Sequence, residues 1–458
     1  MPQRLDFAAK PSQLFLLAAI GAKIKSLKLF DTISEEVRIL QKTVRHQPVE
    51  KLQDAFIAIL AGAHGLCEIN TRVRTDEALQ RAFGRTCCAE QSVVQQTLDA
   101  CTEENVAEME RAIAKIFRQH SQAVRHNYRT SLQLLDLDLT GLPCGPKAEL
   151  SKKGYFAQAG IRYGRQLGRV IATHYEEIVV DQLYSGNVKL GGALQQLVRA
   201  TEQMLDLTVH RRERTVLRID AGGGALDDVN WLLGRGYQLH CKDCSSERAK
   251  SWAGTVQEWF ADPKAPDERQ YGWVVPEDTP DYVRTVRRIA IRWQKRNGHT
   301  GHAMLISTLR PQDVIELLGL PKEHLHEPEL VIAAYIRLYD LRGGGVETQF
   351  KNDKQGIGLS KRRKRKAEAQ RMVMLLNTLA HNVLAWAKGW LAETAPKLHS
   401  YGVLRLVRDV FAVTGRVEMN AQGQITSIVL NRGSTLARRF LAAFRAVLSP
   451  LAISIELG

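Results

Sequence analysis

Asp138 and Asp220 stand where an acid has little structural reason to be. The first sits in the alternating run Leu135-Asp136-Leu137-Asp138-Leu139-Thr140, and the second closes an apolar run directly before Ala221 and the glycines Gly222 to Gly224. Strand propensity disfavours Asp, and burying a charge is costly without a partner. A metal ion is such a partner. With Glu347 on a helical segment, the three acids offer hard oxygen ligands from two strands and a helix. A pair of Mg²⁺ ions takes such a set, keeps water and phosphate oxygens in its other positions, and accepts Mn²⁺ as substitute. Alternation places Asp136 on the face of Asp138, and we read it as a neighbour that tunes the site electrostatically or faces solvent, not as a ligand.

Cations surround the third acid. Helical spacing sets Lys351 at i+4 and Lys354 at i+7 from Glu347, so one carboxylate and two cations share a face, which is either a phosphate grip or a surface salt-bridge pair. Residues 331–390 hold 12 basic and 4 acidic side chains, much of the net charge of +15. Lys361, Arg362, Arg363, Lys364, Arg365 and Lys366 form an unbroken run there, expected on a basic helix that contacts phosphates, or else a solvated loop. The glycine triplet after Asp220 would let a phosphate backbone approach, although it lacks the spacing of a dinucleotide or P-loop fingerprint.

These residues need a scaffold. From Leu14 to about Arg125 apolar positions recur at helical spacing, and Asp76 to Ala100, with Gly84 between two helical patterns, is a weak helix-turn-helix candidate. After Tyr128 the period becomes two. Leu135–Thr140, Arg165–Thr173 and Glu176–Leu183 read as strands, Leu190–Leu207 as a helix, Thr215–Asp220 as a strand, Ala225–Leu233 as a helix and Tyr237–Cys241 as a further strand. That order implies an α/β layer with a mixed sheet. Between about Lys242 and Leu330 prolines 263, 266, 276 and 280 break the pattern, and Ile289–Trp293 with Ala303–Thr308 reads as a hairpin. The expected division is a helical domain over 1–130, the first part of an α/β core over 131–241, an inserted β-containing subdomain over 242–330, helical completion of the core over 331–395, and a C-terminal region over 396–458 with a hairpin through Gly423.

Taken together, the three blocks resemble the catalytic blocks of DDE transposases from bacterial insertion sequences. The blocks are Leu135 to Thr140, Arg218-Ile219-Asp220-Ala221-Gly222-Gly223, and Tyr339-Asp340-Leu341-Arg342 through Glu347, Lys351 and Lys354; Ala380-His381-Asn382 and Trp386 follow on a helix, as in that family. Asp138 and Asp220 are 82 residues apart, and Asp220 and Glu347 are 127 apart. The resemblance implies a ribonuclease-H-like mixed sheet flanked by helices, with an insertion before the Glu. It implies Asp138, Asp220 and Glu347 as catalytic metal ligands, and Tyr339, Arg342, Lys351, Lys354 and the run 361–366 as DNA contacts. The activity implied is strand cleavage and transfer on element ends and target, with a homodimer on double-stranded DNA. The commonest third block has three residues between Arg and Glu. Here Gly343 to Val346 are four, and the triglycine is expected to absorb the extra one.

Composition bounds the alternatives. With 458 residues, 44% hydrophobic and 25% charged, the chain is long enough for about three domains and reads as globular. Its positive balance suits a polyanionic partner. No apolar run approaches the ~20 residues of a membrane span, and Asp6 among Arg4 and Lys10 argues against a secretory leader. Seven scattered cysteines fit a reducing cytoplasm, which the resemblance implies to be bacterial, with association to the nucleoid when bound. One CxxC, Cys241 to Cys244, lacks a second pair for zinc. His381 and Asn382 read as core polar contacts, and Trp252, Trp259, Trp273 and Trp293 mainly as packing, one of them a candidate for stacking a flipped base. A nuclease without strand transfer and a non-catalytic nucleic-acid-binding protein are the rival readings.

Overall fold

The computed structural model describes residues 10–12, 14–42, 45–156, 160–275, 281–295 and 297–458; Arg4, Asp6, Pro276 and Pro280 lie outside them. Among the described residues there are fourteen strands. They are β1 Lys10–Ser12, β2 Gln133–Pro143, β3 Lys152–Phe156, β4 Gly160–Ala172, β5 Glu177–Ser185, β6 Thr215–Ile219, β7 Gln238–Lys242, β8 Phe260–Asp262, β9 Ala265–Trp273, β10 Arg287–Gln294, β11 Thr300–Ser307, β12 Gly415–Met419, β13 Ile425–Leu430 and β14 Ser454–Leu457. The chain divides into two compact units. One comprises residues 1–121, 143–151 and 349–458, the other 122–142 and 152–348.

The second unit is built on a ten-stranded mixed sheet in the order β3-β4-β2-β6-β7-β11-β10-β9-β8, with β5 also paired to β4. β2, β6 and β7 run parallel, and β9, β10 and β11 antiparallel. The parallel strands are largely buried on both faces, the polar Asp136, Arg218 and His240 included. Val216, Leu217 and Ile219 are fully buried, and the helix Leu190–Leu205 buries Ala193, Leu194, Leu197 and Val198. The helix Pro328–Arg342 lays Ile332, Tyr335, Ile336 and Tyr339 into a core with Val216, Ile289, Ile291 and Leu305. The hairpin read at Ile289–Trp293 forms in the register Ile291↔Ala303, but its strands, and those of residues 260–273, extend the main sheet through β7. Sequence alone read residues 242–330 as an inserted subdomain, because the prolines hide how β11 rejoins β7.

The first unit is helical around a central helix, Ala367–Ala392, which is apolar on every side and almost wholly buried. The helices Pro48–Leu60, Gln91–Ala100, Glu103–His120 and Thr435–Leu448 pack against it. Its His381 Nδ1 lies 2.8 Å from Asp353 Oδ1, both side chains buried, so His381 is a core contact as its apolar setting suggested. A four-stranded sheet, β1-β12-β13-β14, completes this unit and contains the hairpin through Gly423. Gly84, at φ +83°, turns the chain after the helix Glu77–Ala82, yet the following helix Gln91–Ala100 carries no Lys or Arg.

Candidate catalytic site

Parallel register brings the first two acids together. β2 and β6 pair as Leu135↔Leu217, Asp136↔Arg218 and Leu137↔Ile219, so the next position in the register sets Asp138 beside Asp220, where β6 ends. Asp220 turns the chain there: its Oδ1 accepts from Gly222 N at 2.8 Å. The triplet that follows is packed against protein. A Cβ on Gly224 would stand 1.9 Å from Lys242 O, and one on Gly223 2.7 Å from Ile219 Cγ2. The glycines let the β6 end close onto the β7 end, which is a different reason from the phosphate approach read from sequence.

Glu347 arrives by a local distortion. The helix Pro328–Arg342 runs into a kink over Gly343–Glu347 before the helix Thr348–Gly356. The break in helical geometry at this kink is where the added residue is accommodated. Gly345 is non-helical at φ −84°, ψ −115°, and a Cβ there would lie 2.3 Å from Asp136 Oδ2. The five-residue interval thus faces Arg342 and Glu347 toward each other, Nη1 to Oε1 at 3.0 Å.

Arg342 links the acids. Its Nη2 is 3.0 Å from Asp138 Oδ2 and donates to Leu137 O at 3.1 Å; the side chain is buried, and its Nε has no hydrogen-bond partner among the described residues. Burial pushes the Asp138 carboxyl up to about 6, with the charges of Asp220 and Glu347 adding to the rise and Arg342 and the Leu139 N–H opposing it. The coupling means that three acids share one neighbourhood in which one guanidinium is buried. Among the described residues no three His, Cys, Asp or Glu side chains stand close enough to hold a metal ion as they are. The donor set is the hard-oxygen set that Mg²⁺ takes, but Arg342 already holds two of its members.

Asp136 is a different case. It is fully buried, and Arg218 grips it with two bonds, Nε to Oδ1 at 2.6 Å and Nη2 to Oδ2 at 2.7 Å, while Arg218 Nη1 donates to Leu338 O at 2.5 Å. It does not face solvent.

The expected DNA contacts divide. Tyr339 is mostly buried, with Lys242 Nζ 4.7 Å from its ring centroid. Lys351 is exposed and Lys354 half-buried, both on the helix Thr348–Gly356. The run 361–366 is a loop rather than a helix, and three of its cations bond to protein oxygens, two of them buried. Arg362 is buried and donates to Ile357 O at 2.6 Å and to Ala63 O; Lys364 is buried on Gln95 Oε1. Lys366 Nζ donates to Asp99 O at 2.8 Å. Lys361, Arg363, Arg365 and Lys366 are exposed.

Lys242 is the residue the sequence reading missed as a site group. Its ammonium is held below its usual range, first by burial and then by Arg269 and Arg342, against the pull of Asp340 and Asp220. The signal was present: a Lys ending the strand beside the one that ends at Asp220. The four tryptophans pack, Arg288 over Trp252 and Arg292 over Trp259 at 4.0 Å each, Trp273 edge-on to Tyr335, and Trp293 across Gly301.

No family model matches the sequence, and no curated protein does. Among solved structures, the piggyBac transposase in a synaptic complex with hairpin DNA is similar over 88% of this chain and 81% of its own, at 13% identity and a TM-score of 0.46.

Proposed function

We propose that this chain is a DNA transposase that cuts and joins strands at a carboxylate site of Asp138, Asp220 and Glu347. The observation that carries the reading is the register that sets Asp138 beside Asp220 while Arg342 ties Asp138 to Glu347. Mg²⁺, when bound, would activate the attacking water or 3′-hydroxyl and stabilise the leaving oxygen. The chain's own part is to present three hard carboxylates and to keep Arg342 and Lys242 next to them. A guanidinium released from a carboxylate matches a phosphate with the same fork geometry, so Arg342 would move from acid to scissile-strand phosphate as the acids take the metal. The exposed cations Lys351, Lys361, Arg363, Arg365 and Lys366 add sequence-independent grip.

A second reading, a nucleic-acid-binding protein without catalysis, is favoured by one observation: Arg342 already neutralises part of the acidic cluster. Incubation of the protein with the DNA flanking its own coding region, with and without Mg²⁺, separates the readings. Excised and joined products are expected. Cutting without joining would indicate a nuclease, and salt-sensitive binding indifferent to Mg²⁺ would leave the binding protein.

A further inference from the structure

The hairpin of β3 and β4 has one face that no described residue of the second unit covers. Its register pairs Lys153 with Tyr163 and Tyr155 with Ile161, so these four side chains share a face. Tyr155 is 76% exposed, Ile161 78% and Tyr163 39%, and Lys153 Nζ stands 5.6 Å from the Tyr163 ring centroid. The opposite face is anchored. Phe156 is buried where Gly141 and Gly164 leave room for its ring, and Gly154 abuts Gly186 O. The rings are therefore displayed from a fixed platform.

We propose that this face is a stacking platform for an unpaired DNA strand. Charge selects the partner. Residues 151–175 contain five Lys and Arg and no Asp or Glu; Lys152, Lys153 and Arg162 are exposed, Lys153 on this face and Lys152 and Arg162, by the register, on the other side of the same hairpin. A second copy docked on the same face would bring two basic hairpins together, with Lys153 against its own counterpart, whereas a polyanion neutralises them. Lysines on an edge strand also discourage sheet-to-sheet pairing, but that role gives no reason for two exposed tyrosines and an isoleucine beside them. Aromatic faces with flanking cations hold single strands by stacking bases and pairing phosphates, without reading sequence. The location suits a strand leaving the acids: Gly164 packs against Leu142 O, four residues or about 13 Å along β2 from Asp138.

The inference rests on the proposal of a DNA substrate and adds the site for its unpaired part. The test uses the full chain with a fluorescein-labelled single-stranded 20-mer and its duplex. Replacing Tyr155, Ile161 and Tyr163 by Ala should weaken single-strand binding about tenfold or more and duplex binding by less than about twofold, since duplex binding rests on cations elsewhere. Tyr155→Phe with Tyr163→Phe should bind as wild type, and an oligonucleotide carrying 5-iodouracil should crosslink to the peptide holding Tyr155 or Tyr163. An unchanged melting temperature establishes that the Ala variant is folded; if it is not, the crosslink decides. Equal loss on both DNAs, no loss, or a crosslink elsewhere would overturn the platform and leave the proposed function standing. A wild-type dimer that the Ala variant dissociates would assign the face to a second copy. Absence of any DNA binding by wild type would remove both proposals.

Discussion

Asp136 and Asp138 lie two residues apart on β2 and meet groups of the same helical segment, yet their surroundings oppose each other. Asp136 is matched one to one: Arg218, its cross-strand partner, fills both carboxylate oxygens and spends its remaining nitrogen on a carbonyl. Asp138 shares Arg342 with Glu347, and Asp220 adds a further negative charge. A closed pair holds its geometry and has nothing left to offer. An acidic cluster short of cations has unmet demand for positive charge, which a metal or a phosphate-seeking arginine can exploit. The difference lies in one register step, because β6 ends after Ile219 and no further arginine can face Asp138 from that strand.

The largest effect that would break this comparison is on activity. Asp138→Ala, Asp220→Ala and Glu347→Ala should each lower Mg²⁺-dependent cleavage by about a thousandfold or more, with fold and most DNA binding retained. Asp136→Asn should instead fail to fold stably, losing about 3–5 kcal/mol in denaturant unfolding because Arg218 is left buried and unpaired. Stable, active Asp136→Asn protein would erase the distinction.

Next is a pH dependence of stability. The folded state raises the Asp138 carboxyl from 3.8 to about 6, so the folded protein holds a proton that the unfolded chain releases between those values. Wild type should therefore lose stability as pH climbs from about 4 to 6 and stay lower above it, by up to about 3 kcal/mol from this group. Asp138→Asn cannot titrate. Its melting temperature in chelator should match wild type below about pH 4 and exceed it at pH 7. A gap of constant size across that range would show that Asp138 is as well matched as Asp136.

A smaller effect tests the join between the two regions. Gly345→Ala places a methyl on Asp136 Oδ2 and should cost about 2 kcal/mol by thermal unfolding, while Gly344→Ala, with open space at its Cβ, should change stability by less than about 0.5 kcal/mol. Equal costs would mean that the glycines serve flexibility, not close approach.

The smallest concerns the basic run. Arg363→Ala with Arg365→Ala should leave unfolding within about 0.5 kcal/mol and flatten the salt dependence of DNA binding, whereas Arg362→Ala should destabilise by orphaning two buried carbonyls. The salt slope and the melting temperature are expected to respond to different members of one run.

Much of this was legible because it is local. Alternation found β2, apolar runs found β6 and β7, and an acid at the end of each of two such runs marked Asp138 and Asp220. The triglycine was legible as a place for an extra residue, since glycine tolerates the non-helical backbone that a kink needs. What stayed hidden depends on distant partners. Asp136 looks like its neighbour until Arg218, 82 residues on, is seen across the strand. Arg362 and Lys364 look like surface charge until carbonyl and amide oxygens from Ala63 and Gln95 cover them. β3 was missed altogether, since Lys152-Lys153-Gly154 reads as a loop, and the face it shares with β4 went with it.

The pairing of β1 with β12 sets an order on synthesis. Ser12 meets Gly415, so this strand has no partner until about 400 further residues have been translated. At about 5–20 residues per second that interval is roughly 20–80 s, long enough for the ten-stranded sheet of the intervening residues to close first. The apolar helix Phe15–Ser26 that follows β1 also packs on β12, β13 and the helix Thr435–Leu448, and left uncovered through that wait it is a natural client for a chaperone. Fragments cut near residue 395 should then accumulate as a folded sheet with a protease-sensitive helical remainder.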